Sequence, residues 1–487
     1  MARQRGLPAP ADRTCLNETN AGTIGRWGSV LAAAVTEASA REVAPQQTGD
    51  FAGDCARYSQ FWESSAALLS RLPARPARNA EQAQTAEQIK RAARDSRSRF
   101  LSAHVEAIYD RLTQNRSRFV RVEQLVYEAA ERVPGLVPAR AQVAAESALL
   151  QRDKEGLEID QGIFVSAVLA NQRAGRHLCH AMLLPHAGTA ERIPELERSA
   201  RVDLGAAEVF RKGKASHVIQ KNPRHLNAED DTTLDAAEIA VDLAILDPRS
   251  QICVLRGDTV QSGKYRGRRV LGSGINLTHL YQGKVPFIWY LQRDLGIVNK
   301  IYRGLARPDA APDDVTGQTV EKPWIAAVEG FAIGGHCQYL LVMDYVLAAQ
   351  GAFMTLPARK EGIIPGAANL RLPRFTGDRI ARQAIMAERR LECASLEGRL
   401  ICDEVVAESD MDGAIDRVAD KLTGSGVVSA AANRRAFRIA QEPFDLFRNY
   451  FALYALEQAY CHFSPALIAN LEQNWNAKNR KLDSSPQ

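Results

Sequence analysis

The chain has 487 residues, 46% hydrophobic and 24% charged, which is ordinary for a folded protein and enough for two or three structural units. Its 62 basic and 57 acidic residues leave a net charge of +5, too balanced to bind nucleic acid by charge alone. No apolar run of about 18 residues occurs, so no membrane-spanning helix is expected; the first residues lack the apolar stretch of a secretory signal, and the expected compartment is the cytoplasm.

Eight cysteines are scattered from Cys15 to Cys461 with no CxxC pair, a pattern of reduced, buried thiols. His177, Cys179, His180 and His186 form the one cluster with metal-ligand chemistry. No second ligand group lies at zinc spacing, so packing or surface roles are expected and no metal site is predicted.

Residues 1–204 are expected to form a helical domain. Glycine is sparse from about residue 56 to 130, while Ala, Arg, Gln, Glu and Leu abound, which favours helix. Phe61, Ala66, Leu68, Leu69 and Leu72 recur at near-helical spacing, as do Phe100, Leu101, Val105, Ile108, Tyr109 and Leu112. Arg71–Pro76 is a break between the two helices. A lid or assembly role suits this region.

The texture changes near residue 205. Ala207–Phe210 and Ala215–Gln220 read as strands around a Lys-Gly-Lys turn. Asp231–Leu246 reads as a helix stopped by Asp247-Pro248, and Gln251–Gly257 as a buried strand. Strand, helix and strand in succession indicate a βαβ unit and an α/β core over residues 205–400. The alternation continues with a helix over Ile288–Leu305, strands at Trp324–Val328 and Tyr345–Ala349, and helices from about residue 376. Residues 401–487 are expected to be a helical assembly region, its last strong helix spanning Tyr450–Leu471.

Two segments carry chemistry. In Pro323–Asp344 a buried strand runs into Gly334-Gly335 and then a helix. Adjacent glycines admit a ligand close to the backbone, and the free N–H groups of a helix start face developing negative charge. Upstream, Gly272-Ser273-Gly274-Ile275-Asn276-Leu277 also follows a buried strand and offers a second N–H donor.

These blocks, with Asn222–Ala228 before them and Gly362–Ala368 after, resemble the crotonase (enoyl-CoA hydratase/isomerase) superfamily in order and spacing. The resemblance implies a crotonase-type ββα superhelix and an oxyanion hole built from the N–H groups of Ile275 and Gly335. It places Ser273, Gly274, Asn276, Gly334, Ile364, Pro365 and Gly366 around an acyl-CoA, with Arg224 available for a phosphate. Hydratases of the family use two glutamates as acid and base. One position is Gln338 here; the other, six or seven residues before Pro365, holds Arg359 or Ala358. Glutamine exchanges no proton at neutral pH, so ordinary hydration is not expected.

The missing glutamates and the long helical N-terminus resemble a branch of the family that joins O2 to an arylacetyl-CoA in glycopeptide-antibiotic precursor synthesis. That implies an arylglyoxylate and CoA as products, with no metal or flavin. Glu229, Arg293 and Gln338 are then candidates for the ring hydroxyls, and Ile275, Ile333, Ile363 and Ile364 for apolar walls around O2. The Cα base stays open: Glu229 or a neighbouring acid is possible, while His336 is expected to point away. Rival readings are an acyl-CoA hydrolase or isomerase using Glu361, and a non-catalytic acyl-CoA binder. Family assembly as trimers or dimers of trimers (hexamers) implies a homo-oligomer; Phe444, Leu446, Phe447, Tyr450, Phe451, Leu453 and Leu456 are expected either to form its contacts or to pack back on the chain's own core.

Overall fold

The computed structural model describes residues 44–313, 315–424 and 426–480. Cys15 and the first 43 residues of the expected helical domain lie outside the described residues, as does the tail after residue 480.

The N-terminal stretch is helical to Ser199. Asp50 caps the helix Phe51–Ser70 by accepting from the Gly53 N–H at 2.8 Å. Asn79 and Gln82 form a capping box on the 33-residue helix Ala80–Leu112. The inner face of the first helix includes Tyr58, Phe61, Trp62, Ser65 and Leu68, and Leu72 is buried just past its end, whereas Ala66 is exposed and Leu69 half-buried. The helical period carries Phe61 to Ser65 and Leu68, so Ala66 turns outward. Trp62 Nε1 donates to Ser96 Oγ at 2.7 Å, tying the two helices together.

Twelve strands follow: β1 (Arg201–Asp203), β2 (Ala207–Lys212), β3 (Ala215–Gln220), β4 (Ile252–Gly257), β5 (Leu305–Ala306), β6 (Thr319–Val320), β7 (Trp324–Val328), β8 (Phe331–Ile333), β9 (Tyr345–Ala349), β10 (Phe353–Thr355), β11 (Leu391–Glu392) and β12 (Glu404–Val406). The main sheet runs β1-β2-β3-β4-β7-β9-β12. Its first three strands are antiparallel and the rest parallel. A second sheet orders β11-β10-β8, with β10 parallel to β8. β5 and β6 pair as a short ladder.

The helix expected over Ile288–Leu305 is in three parts. A π-helical segment, Arg293–Val298, lies between α-helical turns at Ile288–Gln292 and Asn299–Arg303. It ends before Leu305, because Gly304 adopts φ 79° and releases the chain into β5. The last expected helix is two, Phe444–His462 and Pro465–Trp475. Ser464 caps the second by accepting from the Leu467 N–H at 3.1 Å, with Pro465 at its first position.

One apolar cluster runs from Tyr58 and Phe100 in the N-terminal helices, through Val218 and Leu255 of the sheet, to Phe447 and Phe463 near the C-terminus. A second packs Ile325, Leu347 and Met354 against Ile415 and Val418. No helix among the described residues is long and apolar enough to cross a membrane.

Candidate active site

Two isolated parallel bridges, Gly272 with Ala332 and Glu229 with Ile275, dock the Gly272–Leu277 segment beside β8. Gly274 adopts φ 81°; a Cβ there would sit 2.9 Å from the Ile333 carbonyl oxygen, 3.2 Å from Gly335 N and 3.3 Å from Gly334 Cα. Only glycine lets the two Gly-rich segments approach this closely. Gly334 itself lies at φ 54°, ψ −117°.

Three of the neighbouring amides are engaged. Asn276 N–H donates to the Glu229 carbonyl (2.7 Å), Gly334 N–H to the Thr355 carbonyl (2.9 Å) and Gly274 N–H to His336 Nδ1 (3.0 Å). Among the described residues, the Ile275 and Gly335 N–H groups donate to nothing. Two free amides on abutting segments, one at a helix start, can grip an oxygen that gains charge.

His336 is fully buried, and desolvation drives its pKa down to about 4 against the pull of Glu229. Its Nδ1 already accepts from the Gly274 N–H, so the neutral ring braces the Gly274 turn. Gly272 leaves room for it, since a Cβ there would meet His336 Nε2 at 2.2 Å.

Behind Gly335 lies a buried polar cluster. Arg293 Nε donates to both Glu229 oxygens at 2.9 Å, Nη1 to Gln338 Oε1 and Asp294 Oδ1 at 2.9 Å, and Nη2 to the Gly335 carbonyl at 2.8 Å. Tyr339 Oη donates to Glu229 Oε1 at 2.7 Å. Burial alone would raise the Glu229 pKa, but the Arg293 guanidinium outweighs it and holds the carboxyl below its ordinary value. The sequence candidates Glu229, Arg293 and Gln338 are thus in mutual contact. They back Gly335 and line none of the open cavity described next.

A cavity of about 330 Å³ opens on the oxyanion segments, with Ser273, Ile275, Ile333 and Glu361 in its wall. Arg224, Lys360 and Arg480 bring positive charge to the same cavity, and the Arg480 guanidinium lies 4.0 Å over the Trp475 ring. Asn276 also lines it, but its side chain caps the helix Leu277–Tyr281 and donates to Asp230 Oδ2 at 2.9 Å. Ile364, Pro365 and Gly366 stand off the wall. Ile364 N–H donates to Gln458 Oε1 at 2.8 Å, and a Cβ on Gly366 would meet Gln338 Oε1 at 2.4 Å.

Sequence reasoning did not place Lys360, Trp475 or Arg480 at the site. Trp475 ends the helix Pro465–Trp475 and Arg480 follows it, well over 100 residues downstream of both Gly-rich segments in number, and no local spacing rule links them. Among the described residues, Asp230, Asp231 and His279 are the group able to hold a metal ion. Their atoms serve local bonds: Asp230 Oδ2 accepts from Asn222 and Asn276, and His279 Nδ1 pairs with Asp231 at 2.7 Å. In the cluster singled out from sequence, His177 bonds the Tyr109 hydroxyl and Arg116 carbonyl, and His180 the Arg307 carbonyl.

The enoyl-CoA hydratase/isomerase family model matches residues 314–448. A (3,5-dihydroxyphenyl)acetyl-CoA 1,2-dioxygenase of Amycolatopsis orientalis is 45% identical over 393 residues, covering 80% of this chain and 89% of that one. The chain therefore belongs to the crotonase superfamily. A carnitinyl-CoA dehydratase of Salmonella paratyphi A is 32% identical over 142 residues, 28% of this chain and 54% of its own. Among solved structures, an enoyl-CoA hydratase/isomerase from Xanthobacter autotrophicus Py2 shares 21% identity at a TM-score of 0.46, over 57% of this chain and 96% of that one.

Proposed function

We propose that this chain is a dioxygenase needing neither metal nor flavin. It converts an arylacetyl-CoA, specifically (3,5-dihydroxyphenyl)acetyl-CoA, and O2 to the arylglyoxylate and CoA. The observation that carries the reading is the pair of uncommitted N–H groups, Ile275 and Gly335, without a glutamate at either hydratase position. The 45% identical relative, a dioxygenase of that thioester, supports the choice of substrate.

The thioester oxygen sits between the two amides. Loss of a Cα proton puts the electron pair into the enolate and its charge onto that oxygen. One such donor is worth about 3 kcal/mol in the barrier. The electron-rich aryl enolate passes one electron to O2, and the radical pair recombines to a Cα peroxide. The terminal peroxide oxygen attacks the thioester carbonyl, the C–S bond breaks and CoA leaves as thiolate. Loss of the second Cα proton with O–O cleavage leaves the keto acid, so both oxygen atoms enter the product. The ring hydroxyls are assigned to Glu229, Arg293 and Gln338, which requires the ring to reach past the Ile275–Gly335 pair. The phosphates of CoA are assigned to Arg224, Lys360 and Arg480, three cations on one cavity.

We assign the chain to the cytoplasm and to a homo-oligomer. Leu446, Leu453 and Tyr460 support the latter: they recur every seven residues on the helix Phe444–His462 and are 44%, 60% and 44% exposed.

Chelator-treated protein given the thioester should lose dissolved O2 and release free thiol in equal amounts. Thiol release without oxygen loss would make it a hydrolase; thioester binding with no release would make it a binder.

A further inference from the structure

We propose that Glu361 is the base that removes the Cα proton, an assignment that rests on the arylacetyl-CoA reading above. It occupies neither glutamate position of the hydratases. The second of them falls at Arg359 or Ala358; counted from Ala358, Glu361 lies three residues on in the same short helix, Ala358–Glu361. Residues three apart share a helix face. A carboxylate is thus returned to the face that lost one, a turn further along.

The geometry aims it at the oxyanion hole. Glu361 lines the same cavity as Ile275 and Ile333, and its Oε1 lies 4.0 Å from where a Cβ on Gly334 would stand. Gly334 immediately precedes the Gly335 N–H donor. The helix bearing Glu361 is held by the helix Pro465–Trp475: Asn470 Nδ2 donates to the Arg359 carbonyl at 3.1 Å and Asn474 Nδ2 to the Lys360 carbonyl at 3.4 Å. The carboxylate is 8% exposed and, among the described residues, has no hydrogen bond and no ion pair. Glu229, by contrast, is saturated by Arg293 and Tyr339, which makes it a poor proton acceptor. A buried carboxylate without a partner is costly to keep, and this one faces a cavity that the thioester would fill.

The charged and titratable groups around it are few. Lys360, on its own helix, pairs with Glu388 at 2.6 Å, and Arg359 flanks it. Tyr290 faces it from the helix Ile288–Gln292, its hydroxyl pushed up by burial and by Glu361. Arg224, His225 and Arg480 share the cavity. Burial raises the Glu361 pKa to about 8, which strengthens it as a base toward a carbon acid. In the step itself the Cα–H bond breaks, the proton goes to a Glu361 oxygen, and the bonding pair becomes the enolate. The negative charge moves to the oxygen held by Ile275 and Gly335. No oxidant enters.

The test is exchange of the Cα hydrogens of (3,5-dihydroxyphenyl)acetyl-CoA for deuterium in D2O without oxygen, followed by mass spectrometry. The wild type should exchange, rising to a plateau through about pH 8. Glu361→Gln, the shape of the protonated acid, should slow exchange about 100-fold or more, and Glu361→Asp should keep part of it. Exchange at the wild-type rate in Glu361→Gln overturns the assignment. If that variant fails to fold, the wild-type profile decides: a plateau through about pH 8 supports Glu361, and a flat profile overturns it. Oxygen uptake by the wild type separates this inference from its premise. No uptake with Glu361-dependent exchange rejects the dioxygenase and keeps the base; normal uptake with exchange indifferent to Glu361 does the reverse.

Discussion

Arg293 gives its donors to Glu229, Asp294, Gln338 and the Gly335 carbonyl, so it fixes both the polar cluster and the strand end that presents an oxyanion donor. Removing it strands the buried Glu229 carboxylate. Arg293→Met should cost about 3–5 kcal/mol of stability, read as a lower denaturant midpoint. Gly274→Ala tests the hole alone. Its new Cβ would crowd the Ile333 carbonyl at φ 81°, and kcat should fall about 100- to 1,000-fold, as for loss of one oxyanion donor, with circular dichroism unchanged. The two buried glutamates titrate with opposite signs. Glu229 has a lowered pKa, so its contribution to stability is present above its unfolded value and is lost as pH falls through the folded one. Glu361, raised to about 8, favours the protonated folded state, so its presence costs stability progressively from about pH 4 to pH 8. Glu361→Gln should therefore match the wild type near pH 4 and exceed it above pH 8 by up to a few kcal/mol, measured by urea unfolding at both pH values.

At the scale of elements, the site is a meeting of strand ends with one C-terminal helix. β8 delivers Gly334 and Gly335, the bridges at Gly272 and Ile275 deliver the second donor, and the helix Pro465–Trp475 closes over the helix of Glu361. Ser464→Ala removes that helix's cap and should cost about 1 kcal/mol. The same variant should raise KM for the thioester more than it lowers kcat, because the loosened helix carries Trp475 and the approach to Arg480. Much of this layer is legible in the sequence, since strands β4, β7 and β9 are short, largely apolar runs with Gly, Pro or Asp at or near their ends, and glycines mark both Gly-rich segments. The π-helical segment Arg293–Val298 is not, because its composition differs in no way from an α-helix. The cluster of Glu229, Arg293 and Gln338 became a set of candidates through family resemblance; their contact joins residues up to 109 apart in number, which no periodicity encodes. The partner-free state of Glu361 is likewise a property of what surrounds it, and sequence shows only that it is near.

Among the described residues, one continuous apolar cluster joins the N- and C-terminal helices to the sheet. Gly162, in the N-terminal helices, packs so closely on the helix Phe444–His462 that a Cβ would lie 2.4 Å from Ala459 Cβ. Calorimetry should therefore show one unfolding transition rather than separate ones for the N-terminal helices and the core. The exposed stripe of Leu446, Leu453 and Tyr460 belongs to the same scale. Leu453→Glu should lower the mass found by sedimentation if this face joins copies, and leave it unchanged if it does not.

The fate of the two oxygen atoms distinguishes dioxygenation from hydrolysis. (3,5-dihydroxyphenyl)acetyl-CoA should be turned over under 18O2 in ordinary water, with prompt quenching and mass analysis of the released acid. An arylglyoxylate carrying two heavy oxygen atoms is the expected result, since the Cα peroxide closes on the thioester carbonyl before CoA departs. CoA release with an unlabelled arylacetic acid, its new oxygen drawn from water, would contradict it.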